Sequence, residues 1–271
     1  MKKTTYILLG LVAAGFAAVI AVCIFNLSCR EPYVNLEIGP GDGQRAAITL
    51  PSCANLILEK EESQRVHYSS DLKQMFAIHE CDSLTSPVLS VPEKCRDIFT
   101  SRLSGDSLNI SVNLDALADT AREITFISFT GEDRCLARIM VPRGMLRNVC
   151  RPGNGGLLLE NLSSGYLDVR AKHLTLDSCR IDTLLYNGDD MHMTHTEIGF
   201  MRMRQKRHRI KINSTCDSRI INLDIYGNSS TKGGNVNLTG ADVDHIYWTP
   251  EDSDAYVDIH LSHEAEIMKR K

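Results

Sequence analysis

Aromatic residues and an excess of charge of one sign are both missing from this sequence. Aromatic side chains make up 6 % of the 271 residues, with a single Trp, and 30 basic residues stand against 34 acidic ones, a formal net charge of −4. The balanced charge excludes a strongly basic nucleic-acid-binding protein, and a hydrophobic share of 43 % excludes a disordered chain. This composition also excludes a polytopic membrane protein.

Motifs of the common catalytic and metal-binding families are missing as well. The sequence has no C-x-x-C pair, no glycine-rich phosphate loop, no G-x-S-x-G and no H-E-x-x-H. We therefore expect no catalytic residues, no metal and no cofactor, and the protein is not expected to be an enzyme.

One long apolar run is present, at the beginning of the chain. Lys2 and Lys3 precede an uncharged segment from Tyr6 to Phe25, and about twenty helical residues span the apolar core of a bilayer. That run is longer than the apolar region of an ordinary secretory signal. Residues 1–30 are therefore predicted to be an uncleaved transmembrane or signal-anchor helix. Lys2 and Lys3 stay in the cytoplasm, so the rest of the chain lies on the non-cytoplasmic side of the membrane.

A lipoprotein signal is the alternative for the same segment, in which Cys29 or Cys23 becomes the lipidated first residue. Small Ser28 precedes Cys29, whereas bulky Val22 precedes Cys23. Both alternatives place the body in the cell envelope, either in the periplasm on an inner-membrane anchor or at the cell surface as a lipoprotein.

Eight cysteines lie beyond the apolar run, an even number that suits disulfides outside the cytoplasm. Buried thiols that act as small apolar side chains are the alternative. These cysteines are Cys29, Cys53, Cys81, Cys95, Cys135, Cys150, Cys179 and Cys216.

The second half of the chain carries an internal repeat. Apolar residues recur at offsets 0, 2, 7, 10 and 12 from starts at residues 157, 174, 191, 210 and 236, if three extra residues are allowed around Cys216. Of these 25 positions 24 are apolar, whereas chance would give about eleven. The template extends in part to starts at residues 139 and 257.

Offsets of two place residues on the same face of a strand, whereas helices need steps of three and four. One unit is too small to bury its own apolar face, but stacked units bury a continuous core. The repeat therefore predicts a β-solenoid, in which strands of successive coils pair about 4.8 Å apart and form apolar ladders inside.

Residues 31–134 also read as strands, but less regularly. Strands are predicted at residues 48–50, 56–58, 108–112 and 124–126, and short helices at Leu72–Ala77 and Asp115–Arg122. Pro51 and Pro142 are expected to end strands because proline has no N–H. We thus divide the chain into an anchor (1–30), a β-rich N-terminal part or cap (31–134) and regular coils (135–271).

Three features resemble the bacterial family called auto-transporter adhesin head, GIN domain, which occurs in envelope proteins of Bacteroidetes. They are the GDSLNISV strand (Gly105–Val112), the Val-Pro start of the repeat with its downstream Leu-Arg-Asn-Val (Ile139–Val149), and the L-x-L and I-x-x-L-x-Y coils. The resemblance covers residues 33–262. It implies a right-handed single-stranded β-helix at the surface or in the periplasm, and it supplies no catalytic residues.

The densest group of charges is a basic cluster where the third coil turns into the fourth. Such a group is either a solvated face or an attachment site for an anionic polymer or lipid headgroup. The basic cluster, our candidate binding site, comprises Arg202, Arg204, Lys206, Arg207, Arg209 and Lys211.

Acidic residues in the last coils and two histidine pairs are weaker candidates. Calcium binding or acid–base chemistry is the functional interpretation of the carboxylates, and a solvated acidic end is the alternative. Histidines three apart on a strand face opposite sides, which disfavours a metal site. The residues are Asp242, Asp244, Glu251, Asp252, Asp254 and Asp258, with His192, His195, His260 and His263.

The sequence thus predicts a membrane-tethered extracytoplasmic β-solenoid that acts as a binding or structural module. Adhesion is one form that such binding can take. Its expected partners are the membrane and an anionic polysaccharide or another envelope component, and no nucleic acid. The alternative is a carbohydrate-active enzyme, of the polysaccharide lyase or hydrolase type, on a β-helix scaffold.

Overall fold

The protein is described by a computed structural model. It describes residues 3–28, 34–38, 45–61, 66–68, 74–117, 125–129, 135–205, 209–227, 234–238, 240–250, 256–261 and 264–269.

Strands make up almost all of the regular structure that follows the first helix. The helix α1 is Lys3–Ser28, and two short 3-10 helices lie at Glu93–Ile98 and Leu114–Leu117. Strands of the first half are β1 Val34–Ile38, β2 Arg45–Thr49, β3 Asn55–Lys60, β4 Val66–Tyr68, β5 Gln74–Glu80, β6 Val88–Pro92, β7 Phe99–Ser104, β8 Ser107–Val112, β9 Thr125–Phe129 and β10 Cys135–Val141. Strands of the second half are β11 Asn148–Glu160, β12 Ser163–Ser164, β13 Leu167–Asp177, β14 Arg180–Asn187, β15 Asp190–Thr194, β16 Glu197–Gln205, β17 Arg209–Thr215, β18 Arg219–Gly227, β19 Gly234–Leu238, β20 Asp242–Pro250, β21 Val257–Leu261 and β22 Glu266–Lys269. The all-β prediction is confirmed.

Side chains 12–24 of α1 are exposed, among them Val12, Phe16 and Val19. No helix in the described part of the chain is long and apolar enough to cross a membrane.

Alternating burial shows why these segments form strands. In β8 buried Leu108, Ile110 and Val112 alternate with half-buried polar residues, as expected for a sheet with one face in the core. β10 ends at Val141, immediately before Pro142, as predicted.

Parallel pairing joins strands that lie one repeat apart. One ladder of partners runs Leu157, Leu174, Met191 and Ile212. A second ladder runs Leu167, Leu184, Met201, Leu223 and Ile246. All nine side chains are buried, so the predicted apolar ladders are present.

The predicted register is wrong by two residues at β17. Ile212, not Ile210, pairs with Met191, whereas the predicted pairing of Ile210 with Val236 is confirmed. Most of the extra residues therefore lie between β16 and β17, not around Cys216. The error has a physical reason, because a shift of two keeps the same face of a strand toward the core and leaves the apolar pattern intact. The start at residue 257 shifts likewise, since Ile259 pairs with Val236.

A left-handed residue makes a corner in each repeat. One or two positions after it, a side chain points into the core. Backbone hydrogen bonds join several of these corners, as in Ser178 N to Thr194 O at 2.9 Å and His195 N to Cys216 O at 3.0 Å. The residues with positive φ at these corners are Asn161, Ser178, His195, Cys216, Asp217 and Gly240. The buried residues that follow them are Leu162, Cys179, Thr196, Ser218 and Ala241.

Strands from either side of residue 134 pair with one another. β5 lies between β10 and the second half of β11, and β3 lies between β8 and the first half of β11, all in parallel. Antiparallel pairs join β2 to β6, β6 to β10 and β7 to β8, and β1, β9 and β4 form a separate parallel sheet.

The helix predicted at Leu72–Ala77 is wrong for its described part, because residues 74–77 belong to β5. Met75 to Ile78 are all buried, so both faces of the strand are covered, and such a continuous apolar run does not show the alternation of a half-buried strand. Of the helix predicted at Asp115–Arg122, residues 115–117 belong to the 3-10 helix Leu114–Leu117, and residues 118–122 lie outside the described residues.

The described cysteines are free thiols, which agrees with the alternative of small buried side chains for four of them. Cys53, Cys95, Cys135 and Cys179 are buried. Burial raises the pKa of the Cys135 thiol to about 12. Cys29 lies outside the described residues.

Candidate functional site

The basic cluster divides between two strands. Arg202 and Arg204 lie on β16, and Arg209 and Lys211 lie on β17. Lys206 and Arg207 lie outside the described residues, as does the side chain of Arg209. Arg202 and Arg204 are exposed, and Lys211 is half-buried.

Arg202 is held by a buried carboxylate. Its Nε and Nη2 donate to Oδ2 of Asp224 at 2.9 and 2.7 Å, and the Asp224 side chain is only 1 % exposed. The guanidinium carbon lies 5.9 Å from the Phe200 ring centre and 5.7 Å from that of Tyr226. These contacts fix the guanidinium against the sheet face.

Arg204 lines a cationic cleft of about 280 Å³ at a corner of the repeats. The cleft is lined by four successive repeats, three of which contribute basic residues, and Asp189 is the one acidic residue among its described lining residues. The basic residues that define the cationic cleft are Arg151, Arg170, Lys172 and Arg204.

Gly188 allows the chain to turn sharply at this corner, because it has no side chain. A Cβ at Gly188 would overlap the Ala171 carbonyl and the Tyr186 hydroxyl. That hydroxyl is buried and donates to Asp190 O at 2.7 Å. Burial raises the pKa of Tyr186 far above its ordinary value, so the hydroxyl remains a neutral donor.

Arg151 gives the cleft a buried cation, since it is only 4 % exposed. Its Nη1 donates to the carbonyls of Leu58 at 3.1 Å and Pro152 at 3.3 Å, and its guanidinium lies 5.1 Å from the Phe76 ring centre. Burial first, and the positive charge of Arg151 second, lower the pKa of Lys60. The potential near this corner is therefore positive.

Arg170 and Lys172 are held loosely at the cleft. Arg170 Nη2 lies 3.5 Å from Asp168 Oδ2, with its side chain 64 % exposed. Lys172 Nζ donates to Asn154 Oδ1 at 3.1 Å. Exposed contacts of this kind contribute little energy, so both cations can turn toward a ligand at low cost.

Sequence reasoning placed Arg204 in the candidate site but missed Arg151, Arg170 and Lys172. The signal for Arg170 was present in the repeat, because Arg170 and Arg204 share one template offset, with Asn187 in the coil between them. Charged residues that lie on different coils, such as Arg170 and Arg204, do not form a run along the sequence and are therefore not recognised as a cluster.

The acidic candidates do not form a metal site in the described part of the chain. Asp244 accepts from Arg219 Nη2 at 2.6 Å, and Asp242 and Asp258 are exposed. Glu251, Asp252 and Asp254 lie outside the described residues. No group of three or more His, Cys, Asp or Glu that could hold a metal ion occurs among the residues described.

One described histidine of each pair contacts another side chain. His195 Nδ1 lies 4.0 Å from Asp177, and His260 Nε2 lies 3.0 Å from Asn235 Nδ2. His192 lies on β15, and His195 lies at the corner that follows this strand. His263 lies outside the described residues.

Comparison with known proteins gives a fold likeness without a family. No protein-family model matches the chain, and no curated protein sequence matches it. The resemblance to the GIN domain family therefore stays a prediction.

Several solved structures of bacterial proteins are similar to this chain. A candidate adhesin from Bacteroides fragilis is 12 % identical, with a TM-score of 0.39, over 86 % of this chain and 100 % of that one. A candidate lipid-binding protein from Parabacteroides distasonis is 10 % identical, with a TM-score of 0.40, over 86 % and 97 %. A candidate adhesin from Parabacteroides merdae is 10 % identical, with a TM-score of 0.31, over 88 % and 100 %. At this level the likenesses do not indicate a ligand or an activity.

Proposed function

We propose that this chain is a membrane-tethered binding module of the bacterial cell envelope whose cationic cleft holds the charged groups of an extended anionic ligand. The observation that carries the proposal is the convergence of Arg151, Arg170, Lys172 and Arg204 on one cleft, where Asp189 is the one carboxylate among the described lining residues. Clustered cations attract phosphate, sulfate or carboxylate groups, and salt weakens the attraction.

The scaffold of this module is a right-handed β-solenoid. Its support is the in-register parallel pairing of strands one repeat apart, as in Leu184 with Met201 and Met201 with Leu223. A solenoid repeats each outward position about every 4.8 Å along its axis, and such a surface suits a ligand that is itself extended.

The tether is the N-terminal segment, either retained as an anchor or replaced by a lipid on a cysteine. Its support is the uncharged run from Tyr6 to Phe25 and the exposure of the described apolar side chains of α1. Fractionation of cells that express the full chain tests this proposal. Membrane pellets that retain the protein after a carbonate wash are expected, and release into the wash contradicts the tether.

Binding of polygalacturonate to the full chain in detergent tests the cleft, with neutral dextran as the uncharged control. Polygalacturonate is expected to bind at low salt and dextran to bind far more weakly. The variant Arg170→Gln with Arg204→Gln is expected to lose about ten-fold in affinity, because two charge-assisted contacts disappear.

A matched variant separates the cleft from net charge. Arg102→Gln with Arg180→Gln removes two exposed arginines that do not line the cleft. It is expected to bind polygalacturonate like the wild type. Equal losses in the two variants would show that overall charge alone attracts the ligand, and the proposed cleft would be wrong.

A carbohydrate-active enzyme is the second candidate, because Asp189 lies in the same cleft as Lys172 and Arg204. Such a set can move protons on a bound polysaccharide. Under the binding proposal, long incubation with polygalacturonate releases no shorter or unsaturated sugars. Sugar release that Asp189→Asn abolishes would favour the enzyme.

A further inference from the structure

The outward face beside the cationic cleft carries aromatic side chains on neighbouring strands. On β16, β18 and β20, Arg202 pairs with Asp224 and then Tyr247, and Arg204 pairs with Tyr226. Few aromatic residues occur in this chain, so their concentration on one sheet face is unusual.

Phe200, Arg202 and Tyr226 form one contact group, because the Arg202 guanidinium lies over both rings. The Arg202 guanidinium lies within 6 Å of the Phe200 and Tyr226 ring centres, at 5.9 and 5.7 Å. Tyr226 is 36 % exposed and the Arg202 side chain 48 %. Buried Asp224 takes the Nε and Nη2 hydrogen bonds of Arg202, which holds the guanidinium in place before any ligand arrives.

We propose that Phe200, Arg202 and Tyr226 form a stacking platform for sugar rings, so that the ligand whose charge lies in the cationic cleft is an acidic polysaccharide. This inference rests on the proposed function and names its ligand class. Arg204 lines the cleft and is the strand partner of Tyr226, so one chain of sugars reaches both sites.

The chemistry of the platform distinguishes sugars from other polyanions. A pyranose ring presents an apolar C–H face, which packs on an aromatic ring while its hydroxyls remain available for hydrogen bonds. The Arg202 N–H groups that Asp224 does not take are donors for those hydroxyls or for a sugar carboxylate. A polyanion without rings gains only the charge of the cleft.

Tyr226→Ala in the full chain tests the platform with two polyanions, polygalacturonate and poly-L-glutamate. Loss of ring stacking is expected to weaken polygalacturonate binding about five-fold and to leave poly-L-glutamate binding unchanged. Tyr256→Ala, which removes an exposed tyrosine that lies outside β16, β18 and β20, is expected to affect neither. Thermal melting of each variant confirms that it is folded.

The outcomes separate the platform from the cleft. Unchanged polygalacturonate binding in Tyr226→Ala, or equal losses on both polyanions, overturns the platform, while the loss in Arg170→Gln with Arg204→Gln still supports the cleft. A wild-type chain that binds neither polyanion overturns the proposed function itself, and the platform with it.

Discussion

Left-handed residues at the corners concentrate backbone strain at a few positions. Ser178 has φ of 55° without being glycine or asparagine, and a side chain in this region costs about 1 kcal/mol. Ser178→Gly is therefore expected to raise the free energy of unfolding by about 0.5–1 kcal/mol, as measured by denaturant unfolding.

A serine in an ordinary strand is the control. Ser101 is exposed on β7 and has no positive φ, so Ser101→Gly should lower the free energy of unfolding by about 0.5–1 kcal/mol. If both variants lose stability alike, the corner conformation of Ser178 is not a source of strain.

The Arg202–Asp224 pair is a second residue-scale feature with a measurable effect. Arg202→Met leaves the buried Asp224 carboxylate without its guanidinium and is expected to lower the free energy of unfolding by about 2 kcal/mol. The loss is moderate because Arg202 is half exposed.

Removal of both charges should recover most of that loss. The double variant Arg202→Met with Asp224→Leu contains neither the carboxylate nor the guanidinium. Its loss in the free energy of unfolding should therefore be smaller than the sum of the losses of the two single variants. A double variant that is as unstable as the sum of the single variants would contradict a direct coupling between the two side chains.

At the scale of elements, the corner between β14 and β15 depends on Gly188. A methyl group there would overlap the Ala171 carbonyl on the neighbouring strand and the Tyr186 hydroxyl. Gly188→Ala is expected to lower the free energy of unfolding by about 1–3 kcal/mol and to weaken polygalacturonate binding, because Gly188 lines the cationic cleft.

Gly165→Ala is the matched control at another corner. A Cβ there meets only Asp182 Oδ2, at 3.8 Å, so a change within about 0.5 kcal/mol is expected. Similar losses at the two glycines would mean that backbone entropy, not the close approach at Gly188, explains the effect.

The elements that could be predicted from sequence are those with one face in the core. β8 and the apolar ladders of the second half alternate clearly, and their existence follows from that pattern. β5 could not be recognised, because both of its faces are buried from Met75 to Ile78 and the run does not alternate. The register of β17 was open, because Ile210 and Ile212 face the same side.

The candidate site was only partly predictable for a related reason. Arg204 belongs to a run of charges that is visible in the sequence. Arg170 lies far from it in sequence, and the two line one cleft only because the coil with Asn187 stacks between their coils. Arg151 was hidden because a buried arginine has no pattern of its own in the sequence.

At the scale of the whole molecule, the near-neutral composition conceals a separation of charge. The net charge is −4, yet the cationic cleft gathers four basic residues with one acidic residue. Such a local field steers an anionic ligand to one corner of the molecule, while a net negative surface elsewhere repels it.

A crystal structure of the full chain with an oligogalacturonate tests the central claim most directly. The account predicts a ligand carboxylate about 2.7–2.9 Å from a guanidinium or ammonium nitrogen of Arg170, Lys172 or Arg204, with a sugar ring on Tyr226. An oligogalacturonate bound on another face, with the cationic cleft holding only solvent, would contradict it.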